Sequence, residues 1–159
     1  MHHAAMTFED LWSADTSLVA EAYEKVLRPA FGPQELSGLS DVTPGPRRVL
    51  SLALDGREEP VAAAFTELGP SQGEAPEQVE DGAGIALLTH LAVRVEGHGQ
   101  GKGTGSALMG HLQRLWRRLE LPLVLGEVHD PRGHAESAAE HPEARLRFYG
   151  RFGARVLDV

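Results

Sequence analysis

Cysteine is absent from this 159-residue chain. That excludes a disulfide framework, a cysteine-based zinc site and a thiol nucleophile, and it agrees with a cytoplasmic protein. Long apolar runs are missing too. None reaches the about 18 residues that a membrane-crossing helix needs. Positive charge is in deficit, with 15 basic residues against 23 acidic ones and a net of −8 with His neutral. Such a chain is a poor non-specific partner for nucleic acid or an anionic membrane, and it suits cationic substrates. Met1-His2-His3-Ala4-Ala5-Met6 does not read as a secretory signal, since it has no basic start followed by an apolar stretch. Residues 1–6 read as a tag remnant or a disordered N-terminus, with Met6 as a candidate native start. No internal repeat is visible. What is present is an ordinary globular balance, 42% hydrophobic and 24% charged. It predicts a single domain over 7–159 with a sizeable core.

Helical spacing of Leu18, Ala22, Val26 and Leu27, widened by Val19 and Tyr23, predicts a first helix over 15–31, with Asp15 as N-cap and Pro29 as stop. A short second helix is expected over Pro33–Leu39, before the breaker Thr43-Pro44-Gly45-Pro46. Arg47–Leu54 and Pro60–Leu68 read as a hairpin around Asp55-Gly56-Arg57-Glu58-Glu59. The glycine-rich and acidic stretch 69–84 reads as a surface loop. Ile85–Val95 reads as a strictly alternating strand, with Leu87, Thr89, Leu91 and Val93 on one face and Leu88, His90, Ala92 and Arg94 on the other. Leu108, Leu112, Leu115 and Leu119 mark a helix over Thr104–Leu119. A strand over Leu121–Val128, a loop over Asp130–Glu140 and a helix over Pro142–Phe152 capped by Gly153 follow, and Ala154–Val159 begins a further strand.

Between strand and helix lies Gly97-His98-Gly99-Gln100-Gly101-Lys102-Gly103-Thr104-Gly105-Ser106. Glycines let successive backbone N–H groups point into one concavity, and the helix start adds partial positive charge. This is an anion site best matched to phosphate. It is not a nucleotide-hydrolysing P-loop, since Glu96 and Gly103 stand where that motif needs Gly and Ser or Thr. It is not a dinucleotide fingerprint either, because Thr104, Ser106 and Leu108 fall where the third glycine belongs.

The pattern that matches is Gln-x-x-Gly-x-Gly, as Gln100, Gly103 and Gly105. Together with Leu91-Ala92-Val93 before it, this stretch resembles the acetyl-coenzyme A signature of the GNAT acyltransferase superfamily. The C-terminal run Arg147-Phe148-Tyr149-Gly150-Arg151-Phe152-Gly153-Ala154 resembles that family's second signature. The resemblance extends from about Thr7 to the C-terminus and implies an α/β fold of the α+β type: a central, mixed, mostly antiparallel sheet flanked by helices. It implies an N-acetyltransferase that moves an acetyl group from acetyl-CoA to a primary amine by direct attack. A non-catalytic acyl-CoA-binding sensor or partner-binding module on the same fold is the alternative. By the same resemblance, the backbone of Gln100, Gly101, Lys102, Gly103, Thr104, Gly105 and Ser106 would cradle the pyrophosphate. Val93 and Val95 would offer main-chain bonds to the pantetheine arm, and Tyr149 would protonate the leaving thiolate. The family's sheet continues beyond the point where this chain stops. Truncation, a missing last strand, or a strand supplied by a partner chain in a homodimer stay open.

An amine must be neutral to attack, so a base is required. The candidates are Glu127, first, then His90 and His129. His129, His134 and His141 are too irregularly spaced in a loop to define a metal geometry, and no metal is expected. Arg114, Arg117 and Arg118 read as the solvated face of their helix. The acceptor is expected to be a small-molecule or peptide amine.

Overall fold

The computed structural model describes residues 5–69, 84–95, 103–128 and 142–157. They fall into two compact units, Met1–Gly126 and Glu127–Val159. Among the described residues no helix is long and apolar enough to cross a membrane.

The first unit is built on a five-stranded sheet in the order β1-β2-β3-β4-β5. Its strands are β1 (Thr7–Leu11), β2 (Arg48–Leu54), β3 (Pro60–Leu68), β4 (Ile85–Val93) and β5 (Leu123–Gly126). The first four run antiparallel in sequence, and β5 lies parallel to β4. β1 was not expected from the sequence, because Thr7-Phe8-Glu9-Asp10-Leu11 carries two adjacent acids and no clean alternation. The hairpin between β2 and β3 is as expected. The Asp55 carboxylate accepts from the N–H groups of Arg57 (2.8 Å) and Glu59 (3.0 Å), and Glu58 closes the turn at φ +61.

One sheet face carries Leu50, Leu52, Leu54, Ala63, Phe65 and Ala92, all buried against Val19, Ala22, Val26 and Leu27. These last four belong to one helical run, which is not the uniform helix over 15–31 that spacing predicts. It comprises α1 (Ser17–Ala22), a π-helical turn (Tyr23–Leu27) and α2 (Arg28–Ala30), and its N-cap is Thr16, not Asp15. Thr16 Oγ1 accepts from Leu18 N at 3.2 Å. The widening precedes Pro29, which has no N–H and whose ring crowds the carbonyl four residues back. The expected helix over Pro33–Leu39 is also absent. Asp41 accepts from the Ser37 N–H and hydroxyl, both at 2.8 Å, which draws the chain into a turn, and a 3₁₀ turn follows at Leu39–Val42.

The opposite face carries the small residues Ser51, Ala53, Ala62 and Ala64, all fully buried. On it lies α3 (Thr104–Arg118), which inserts Leu108, Leu112 and Leu115. Each such leucine contributes roughly 2 kcal/mol by burial. β5 is shorter than the expected Leu121–Val128. In the second unit, α4 (Pro142–Arg151) ends at Gly153 in the left-handed region, φ +86, with Gly153 N donating to Gly150 O at 3.1 Å. Ala154–Leu157 form no strand, contrary to the sequence reading.

Candidate functional site

β4 does not alternate as predicted. Phe65 pairs with His90 while the next residue of β3, Thr66, pairs with Leu88. Thr89 is therefore an extra residue, a β-bulge, and its hydroxyl lies 3.3 Å from the Phe65 carbonyl. The bulge turns the strand over. Ala86 and Leu88 lie on the α3 face, whereas His90 and Ala92 lie on the face of the α1 helical run. The expected grouping of Leu88 with His90 is thus incorrect. A bulge needs two strands to define it, and the apolar pattern of 85–93 contains nothing that marks it.

The same place ends the pairing with β5. The parallel ladder stops at Leu88 and Gly126, so beyond it β4 has no neighbour on that side among the described residues. Arg94 N donates to Val61 O at 2.8 Å, on the β3 side. By alternation, the backbone N–H of Val93 points the opposite way, to the open edge. Val95 follows in a turn and is exposed.

α3 is the next described element of the chain. Gly103 is its N-cap in the left-handed conformation, φ +75 and ψ 10, with no side-chain cap and no acid in the first turn. Ala107 N makes the first helical bond, to Gly103 O at 2.9 Å. The N–H groups of Thr104, Gly105 and Ser106 therefore have no acceptor within the helix, and the helix dipole adds positive charge there. Among the described residues, apart from its chain neighbours and the backbone of its own helix, no heavy atom lies within 4 Å of the position a Cβ on Gly103 would take. Thr104 buries its side chain, leaving its backbone for this end. The arrangement fits a phosphate. Gln100, Gly101 and Lys102 lie outside the described residues, as do His129, His134 and His141.

His90 is engaged at both ring nitrogens. Nε2 is 2.8 Å from Glu35 O, which can only accept, so Nε2 carries the proton. Nδ1 is 2.9 Å from Thr89 Oγ1, and Phe31 meets the ring edge-on at 4.9 Å. Glu127 is exposed and directly follows β5. Tyr149 lies on α4, half-buried, with its ring edge-on to Phe148 at 5.3 Å. Burial pushes its hydroxyl pKa above the usual 10.0, with the Arg145 charge opposing. His90, Val93, Val95 and Gly103 to Ser106 thus belong to the first unit, while Glu127 and Tyr149 belong to the second.

A second polar cluster escaped the sequence. The Asp10 carboxylate accepts from Ser51 Oγ at 2.6 Å and from His111 Nε2 at 3.0 and 3.1 Å, and Phe8 stacks on His111 at 4.7 Å. It joins β1, β2 and α3. The acid stands between the serine and the histidine, so the histidine cannot activate the hydroxyl as it does in a nucleophilic triad. Its members lie 41 and 101 residues apart, and no local spacing reveals them.

No protein-family model and no curated protein matches the sequence. Solved structures do. An aminoglycoside acetyltransferase from an uncultured soil metagenomic sample is 14% identical, covering 98% of this chain and 95% of that one, with a TM-score of 0.62. A ribosomal-protein-alanine N-acetyltransferase from Brucella melitensis is 15% identical, covering 96% and 93%, at 0.60. A GNAT family acetyltransferase from Staphylococcus aureus is 11% identical, covering 86% and 96%, at 0.56. The chain has the GNAT acetyltransferase fold, as the two signatures implied.

Proposed function

We propose that the chain is an acetyl-CoA-dependent N-acetyltransferase that acetylates a primary amine by direct attack. The observations that carry this reading are the N-terminus of α3 without a side-chain cap and, earlier in the same unit, a strand that past its bulge has no neighbour on one side among the described residues. Such a pair suits a ligand with a phosphate at one end and a peptide-like arm. The first-turn N–H groups of Thr104, Gly105 and Ser106 would hold the pyrophosphate, and Val93 would bind the pantetheine amides as a neighbouring strand would. Gln100, Gly101, Lys102 and Val95 complete the cradle in this reading.

Bound acetyl-CoA supplies the acyl group as a thioester. The residues of this chain move the protons. Glu127, an exposed carboxylate directly after β5, takes the proton from the amine. Tyr149, whose hydroxyl burial keeps protonated, gives a proton to the departing sulfur. Both ring nitrogens of His90 lie within hydrogen-bond distance of protein oxygens, which favours Glu127 as the base. The acceptor is an amine, and the net charge of −8 favours a cationic one.

The test is thiol release on incubation with acetyl-CoA and an amine panel, with coenzyme A binding measured by calorimetry. Amine-dependent thiol release is expected. Binding without release would instead indicate the non-catalytic acyl-CoA-binding alternative. Glu127→Gln is expected to lower turnover most at low pH, where neutral amine is scarce, with the deficit shrinking as pH rises. A deficit uniform across pH would assign Glu127 to substrate positioning.

A further inference from the structure

The segment from Phe31 to Val42 is fastened along its length. Gly32 O accepts from Glu35 N (3.0 Å) and Leu36 N (2.9 Å). Asp41 holds Ser37, and Arg48 donates to Asp41 O at 2.9 Å. Leu36 and Val42 bury their side chains in the core. His90 joins this segment to β4, one residue past the bulge, through Nε2–H to Glu35 O at 2.8 Å and through its contact with Phe31.

The position of that link matters for the open edge of β4. α3 packs on one face of the sheet, so a second substrate reaching the edge approaches from the other face, where Phe31 and Glu35 lie against His90. We infer that His90 is a positioning residue. Its Nε2–H holds the 31–36 segment against the bulge and so sets the width of the acceptor's approach, without exchanging a proton with the acceptor. This rests on the acetyltransferase reading above. The chemistry of the ring supports it, because a base needs a lone pair open to substrate. Here the Nε2 proton is committed to a carbonyl that can only accept. Nδ1 lies 2.9 Å from the Thr89 Oγ1, so it too is turned to the protein.

Two substitutions separate positioning from proton transfer. In His90→Gln the amide nitrogen stands near the place of Nε2 and can still donate to Glu35 O. In His90→Asn the amide reaches only the place of Nδ1. Neither is a base. His90→Gln is expected to keep acceptor KM and kcat within about twofold of the parent, whereas His90→Asn raises acceptor KM about tenfold, as for one lost hydrogen bond. Coenzyme A affinity and the shape of the pH profile stay unchanged in both. Hydrogen exchange at the Leu36 and Ser37 amides is expected to quicken in His90→Asn and not in His90→Gln. Equal loss of turnover in both variants, with a changed acid limb, would make His90 the base and overturn the inference. So would unchanged acceptor KM and exchange in His90→Asn. Nitrogen NMR of the parent protein gives a check that needs no variant: the Nε2–H tautomer is expected, and the Nδ1–H tautomer overturns the tether. If the parent protein neither binds coenzyme A nor releases thiol, the acetyltransferase reading fails by itself. The exchange contrast then still decides whether His90 holds the segment.

Discussion

Replacing Asp10 by Ala removes the acceptor shared by Ser51 and His111. Asp10 and His111 have side chains only 15% and 13% exposed, and Ser51 is fully buried. Leaving the Ser51 hydroxyl without a partner costs about 1–3 kcal/mol. The bond from His111 to a carboxylate is worth about 1.5–3 kcal/mol, less whatever water returns to the imidazole. Arg118, 3.8 Å away and mostly exposed, adds little. The expected loss is about 3 kcal/mol, which corresponds to roughly 6–12 °C in Tm for a chain of this length. Equilibrium urea unfolding followed by tryptophan fluorescence measures it. The sharper expectation concerns the double variant. Ser51→Ala placed on Asp10→Ala removes the orphaned hydroxyl, so the double variant should be more stable than Asp10→Ala alone by about 1 kcal/mol. A double variant destabilised by the sum of the two single effects would refute the network, and so would an Asp10→Ala loss below about 1 kcal/mol.

Three other outcomes follow from the geometry. Gly103→Val should lose about 1–2 kcal/mol of stability, because φ +75 strains any residue with a Cβ. It should also weaken coenzyme A binding in calorimetry, and unchanged affinity would remove this helix start from the cofactor site. Tyr149→Phe should lower turnover about a hundred- to ten-thousand-fold with little change in cofactor affinity. Its effect on stability has a sign. The native hydroxyl titrates above 10.0, so the stability the group contributes is complete below the unfolded value and is lost as pH rises through the folded one. Parent and variant should therefore diverge only in alkaline urea titrations. Glu58→Gly should stabilise by about 0.5–1 kcal/mol, since Glu58 holds φ +61 in a conformation glycine adopts without strain; a lower urea midpoint would contradict this.

Most elements were legible because burial leaves a periodic record along the chain. Leu108, Leu112 and Leu115 are buried where helical spacing placed them, and Leu50, Leu52 and Leu54 share a face as alternation required. Gly103 and Gly153 take positive φ at the helix start and stop that the sequence marked, because conformational freedom belongs to the residue itself. The chain's order of elements and its two signatures were enough to imply the GNAT fold. Tertiary structure decided what depends on two segments at once. The bulge at Thr89 exists only in the register between β3 and β4, and it alone puts His90 on the face opposite Leu88. Thr89 keeps no trace of it in its own neighbourhood, and Ser37 bonding to Asp41 in place of a helix is a contest between side chain and backbone that propensity does not resolve. β1 is a strand because Ser51 and His111 wait to satisfy Asp10. The carboxylate that breaks the strand's apolar alternation is what anchors it, since a mostly covered acid is tolerated only where partners from elsewhere in the chain converge on it.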